Sequence, residues 1–185
     1  MDGLEIRATG GLRAAGGRLA GYAAVFGSEA ELPGFREIIR PGAFARTLAA
    51  GGNIRALYHH ADQQLLATTK AGTLQLREDA HGLAFDLALP DTSYGRDLAV
   101  LVERGDVSGC SFGFRVADGG DRWAERSEGQ WLRELIDVDL LEITVTADPA
   151  YVDTTVALRC RDHAQGWQDY FNKYDPRRAW LETCR

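Results

Sequence analysis

Hydrophobic and polar positions alternate along much of the chain. In "GLAFDLALP", Leu83, Phe85, Leu87 and Leu89 occupy one parity and Ala84, Asp86 and Ala88 the other. A period of two marks a strand with one buried face. "GTLQLRE" sets Leu74 and Leu76 against Gln75 and Arg77 in the same way, and "CSFGFRV" sets Phe112, Phe114 and Val116 against Ser111, Gly113 and Arg115. "RLAGYAAVF" (18–26) and "NIRALYHH" (53–60) read as further strands, and "DRWAER" with "QWLRELI" as a hairpin across "SEGQ". "VDLLEITVTA" (138–147) is rich in β-branched residues and sets Glu142, Thr144 and Thr146 against Leu141, Ile143 and Val145. Two segments leave this period. "PGAFARTLAAG" starts at Pro41, spaces Phe44 and Leu48 by four and stops at Gly51. "DTSYGRDLAVLVERG" offers Asp91, Thr92 or Ser93 as N-cap, buries Leu98, Leu101 and Val102, and ends at Gly105. Both read as helices.

Many short strands with two inserted helices predict a β-rich α+β fold, a closed or strongly bent antiparallel β-barrel with helices packed outside. A doubly wound sheet is excluded because helices do not follow strands regularly. The alternation stops near Leu158. Residues 1–159 are therefore expected to form the barrel domain and 160–185 a separate tail. That tail carries Trp167, Tyr170, Phe171, Tyr174 and Trp180 among charged residues, the composition of a docking segment.

Composition narrows the function classes. The chain has 185 residues and a net charge of −6, which argues against a partner bound by phosphate neutralisation, so no nucleic acid is expected. Cys110, Cys160 and Cys184 form neither a disulfide framework nor a zinc pattern. No apolar run approaches the roughly 18 residues of a membrane span. "MDGLEIRATGG" lacks the basic and apolar regions of a signal peptide. A cytoplasmic protein is the expectation.

Three positions carry candidate chemistry. Ser111 stands between Gly109 and Gly113, and small residues on its face leave room for a substrate backbone, as a nucleophile requires. The rival nucleophile, Cys110, points by parity into the core with Phe112. His59 and His60 end a predicted strand, where adjacent residues face opposite sides, so only one of them can face a given site. A metal held by His59, His60 and Asp62 lacks a fourth ligand, and neither metal nor cofactor is expected. Glu142 reads either as an outward charge or as a carboxylate that orients a histidine, with Asp137 and Asp139 as competitors for that role. Taken alone, the residues describe an acidic β-rich domain with a Ser-His-acid set.

Several blocks then match a known family in order. "GYAAVF" with "REIIRPGAF", "ALYHH", "LPDTSYGRDLAVLVERGDVSGCSFGF" and "LLEITVTADPAYVDT" together resemble the tailed-phage prohead maturation proteases, relatives in fold of herpesvirus assemblin. The resemblance spans residues 19–158. It implies Ser111 as nucleophile, His60 as general base and Glu142 as third member. It implies a serine endopeptidase of phage, prophage or gene-transfer-particle assembly, acting inside the prohead in the cytoplasm of the bacterial host. Its substrates would be scaffold segments or the N-terminal extension of the major capsid protein. It also raises a homodimer, the form herpesvirus relatives use. Family members commonly follow the histidine with Asp and a Pro-Leu-Gly-like turn; here the segment reads "HHADQQLLATT", which leaves His59 and His60 both open. Two rival readings stand beside this one: an inactive scaffolding protein that keeps the fold and binds capsid subunits, and a cysteine peptidase using Cys110.

Overall fold

The computed structural model describes residues 5–10, 12–15, 17–126 and 129–147. The expected boundary at 159 and the tail 160–185 lie outside the described residues. Among the described residues thirteen strands form three sheets, accompanied by two helices. The first sheet has the order β1 (Glu5–Gly10), β10 (Gly109–Val116), β13 (Val138–Thr146), β6 (Arg55–Tyr58) and β7 (Ala61–Thr68). The second is β2 (Arg13–Ala15), β3 (Arg18–Val25), β9 (Gly82–Ala88) and β8 (Leu74–Glu78). The third is β11 (Asp121–Glu125), β12 (Trp131–Leu135), β5 (Phe35–Ile39) and β4 (Glu29–Leu32). The β-rich α+β class is as expected. Each sheet is open, so no hydrogen-bonded barrel closes among the described residues, and the all-antiparallel expectation fails at two places. β13 pairs with β6, and β12 with β5, in parallel. Parallel neighbours need a crossover, and alternation within a strand says nothing about the direction of its neighbour.

All three sheets feed one core. Cys110, Phe112, Phe114, Ile143 and Val145 come from the first, Leu19, Leu83, Phe85 and Leu87 from the second, Ile39 and Leu135 from the third. The Phe44 ring meets Phe112 edge-on at 5.4 Å, and Phe112 stacks on Phe114 at 5.1 Å. α2 (Ser93–Arg104) forms as its sequence predicts. The Thr92 side chain accepts from the Gly95 N–H, Leu98 and Val102 are buried, and Gly105 at φ 81° takes the left-handed conformation that ends the helix. Leu101 is only partly buried against the core. α1 is short, Ala45–Ala49, yet Phe44 at its start is fully buried. Among the described residues no helix is long and apolar enough to cross a membrane.

The periodic pattern misses β1, β2, β4, β5 and β7. β5 has a physical reason: its fully buried Glu37 looks polar in the sequence but is neutralised by Arg7 from β1 and Arg133 from β12. Such a network makes charged positions into interior ones.

Candidate active site

Ser111 lies in β10 opposite Thr144 of β13, and the next pair on the same face is Gly113 with Glu142. A register shift follows, from Gly113↔Glu142 to Phe114↔Leu140, which leaves Leu141 without a partner on β10. This bulge corrects the expected parity of the strand. Val138 and Leu140 face the core before it, Ile143 and Val145 after it, and Leu141 is only half-buried. An unbroken alternation from Val138 would have turned Glu142 into the core. The extra residue re-aims it onto the face of Ser111.

On the other side of β13, β6 runs parallel with Arg55 beside Glu142, Leu57 beside Thr144 and Tyr58 beside Val145. β6 then reverses into β7 through two residues, His59 and His60, closed by the pair Tyr58↔Ala61. Both have positive φ, 51° and 56°, the sign pattern of the turns whose twist suits a two-residue hairpin. The two histidines are therefore turn residues, not strand residues, and alternation is not what separates them. The segment that follows them is strand β7. The His59 N–H donates to the Val145 carbonyl at 3.0 Å, pinning the turn to β13. β10 and β6 are two strand spacings apart, about 10 Å. The turn carries the His60 ring back across β13 to span that gap.

The result is a continuous hydrogen-bonded chain. The Ser111 hydroxyl donates to His60 Nε2 at 2.8 Å, and His60 Nδ1–H donates to Glu142 Oε1 at 3.0 Å. The tautomer follows from the partners. An ionised carboxylate only accepts, so Nδ1 must carry the proton, and Nε2 of the neutral ring is left to accept. Ser111 and Glu142 are buried, while the His60 side chain is about one-third exposed. His59 instead meets the Thr146 hydroxyl at 3.4 Å through Nδ1 and packs on Tyr58.

The competitors lie elsewhere. Asp137 and Asp139 both bind Arg46, at 2.8 and 2.7 Å. Asp62 binds Arg55 at 2.8 Å. Cys110 is fully buried on the core face, where burial pushes its thiol up to about 12; a thiol that holds its proton is a poor nucleophile. Among the described residues no cluster of His, Cys, Asp and Glu is spaced to hold a metal ion. One residue of the site is not singled out by the sequence pattern. Arg55 Nη2–H donates to Glu142 Oε2 at 3.3 Å. Its signal is present, as the one charge within "IRALY", but its meaning depends on the parallel neighbour.

No curated protein matches the sequence. Among solved structures, the chain is similar to the bacteriophage T4 capsid assembly protease gp21, with a TM-score of 0.55 at 8% identity, covering 80% of this chain and 98% of that one. At that identity the likeness speaks to the fold alone. The family model described as caudovirus prohead serine protease matches residues 3–169, nearly the whole sequence. The chain belongs to the caudovirus prohead serine protease family.

Proposed function

We propose that the protein is a serine endopeptidase of capsid assembly in which Ser111 is the nucleophile, His60 the general base and Glu142 the acid that orients it. The observation that carries this reading is the chain Ser111–His60–Glu142, with links of 2.8 and 3.0 Å. As Ser111 Oγ attacks the peptide carbonyl carbon, its proton passes to His60 Nε2. Glu142 stabilises the resulting imidazolium through Nδ1–H. His60 then gives the proton to the departing amine, and water, activated by the same imidazole, releases the acyl group from Ser111. No step requires a cofactor. The substrates in this reading are scaffold segments or the N-terminal extension of the major capsid protein, cut inside the assembling prohead in the bacterial host, with the enzyme working as a monomer or a homodimer. The three open sheets wrap one core in a barrel-like manner, and residues 160–185 serve as an assembly or self-processing segment.

The test is labelling of the full chain with a fluorophosphonate, followed by mass mapping. Label on Ser111, lost in Ser111→Ala, is the expected result. Label on Cys110 would support a cysteine peptidase. Absence of label from the folded protein would favour an inactive scaffolding protein.

A further inference from the structure

We propose that Arg55 is a positioning residue that fixes the Glu142 carboxylate; this rests on the Ser111–His60–Glu142 reading above. Glu142 Oε1 accepts from His60 Nδ1 at 3.0 Å and from the Thr144 hydroxyl at 3.5 Å. A carboxylate held by one oxygen rotates freely, because its last torsion is broad. Arg55 occupies the second oxygen, Oε2, at 3.3 Å. The placement is a matter of register: Arg55 and Glu142 are direct neighbours across the parallel β6–β13 pair. The other arm of the guanidinium, Nη1–H, donates to Asp62 Oδ1 at 2.8 Å. Asp62 stands on β7, two residues beyond His60. One side chain thus ties the acid on β13 to the strand that leaves the histidine turn. A planar fork can make both contacts at fixed angles, which an ammonium cannot.

The charges support the same role. Arg55 sets a positive charge 3.3 Å from the Glu142 carboxylate. Asp62 offsets it: with His60 protonated, Arg55 and His60 balance Glu142 and Asp62, and the four groups sum to zero. The Arg55 side chain is 42% exposed and that of Glu142 only 9%, so the arginine caps the solvent side of the carboxylate.

The experiment is a double-mutant cycle read by the rate of fluorophosphonate labelling of the full chain, which needs no knowledge of the cleavage site. Arg55→Met should slow labelling about 10- to 100-fold, the cost of misplacing a catalytic group by a fraction of an ångström to an ångström. Arg55→Lys, which keeps the charge without the fork, should fall between Arg55→Met and the parent. In a Glu142→Gln background either substitution should slow labelling by no more than about twofold, because a residue that acts through Glu142 has nothing left to position. Full additivity would overturn the role of Arg55 while leaving the acid assignment standing. An unchanged rate for Glu142→Gln alone would overturn both. Should Arg55→Met not fold, the cycle with Arg55→Lys separates the same two outcomes.

Discussion

Replacing Glu37 by Gln should destabilise the protein by about 3 kcal/mol and loosen the strand beside the active site. Glu37 is the anion at the centre of a buried network between the first and third sheets. Its side chain is fully buried, and it accepts from Arg7 through both oxygens, at 2.5 and 2.9 Å, and from Arg133 at 3.3 Å. Arg133 also holds Glu5 through two bonds of 2.6 and 2.8 Å, and Asp121 at 2.7 Å. Removing one partner of a buried pair typically costs about 3–5 kcal/mol, because the other charge stays desolvated. The low end applies here, since Arg7 keeps Glu5 at 2.9 Å. A Gln amide also turns a donor towards a guanidinium that can only donate. At about 2–4 °C per kcal/mol for a chain of this size, the melting temperature should fall by about 6–12 °C. Arg7 lies on β1, whose register sets Ala8 opposite Ser111, so labelling of Ser111 should slow as well. Thermal unfolding of the parent and Glu37→Gln at neutral pH decides the matter. A shift under about 2 °C would mean that the network contributes little and that β1 is held by its pairing with β10 alone.

Three further outcomes are expected. His59→Asn should retain the labelling rate within about threefold, while His60→Asn should lose about three orders of magnitude; asparagine tolerates the positive φ of either position, so a reversed pattern would move the base to His59. The carboxyl of Glu5 is held below its ordinary 4.5: burial alone would raise it, but the hydrogen bond and charge of Arg133 outweigh that, with Arg7 adding to them. A depressed acid contributes stability above its unfolded pKa and loses it as pH falls through the folded value, so urea midpoints should drop below about pH 4.5 and Glu5→Gln should flatten that drop; equal slopes would refute it. A chain ending at Arg159 should fold and accept the fluorophosphonate but fail to process proheads, whereas a large loss of melting temperature would make residues 160–185 part of the core.

Local pattern was enough to place β3, β8, β9, β10 and β13, the hairpin of β11 and β12, and, through four-residue spacing and end signals, both helices, because those elements bury apolar side chains in the period of their own backbone. It also set Ser111 opposite the phenylalanine face, while His60 and Glu142 entered only through what the family resemblance implied, with His59 still open. Local pattern could not supply what depends on neighbours. β5 looks too polar for an interior strand until Arg7 and Arg133 arrive from β1 and β12 to satisfy Glu37. The bulge at Leu141 leaves no mark in "DLLEITVT", yet it decides which side of β13 carries Glu142. The histidine pair reads as a strand end, and only the closure of β6 onto β7 makes it a turn with positive φ that swings His60 across to Ser111. Arg55 becomes a partner of Glu142 only once β6 lies parallel to β13. A strand's own period records which positions are apolar. Which strand lies beside it, in what direction and at what register, is settled by the shared core and by the buried charges that must find one another.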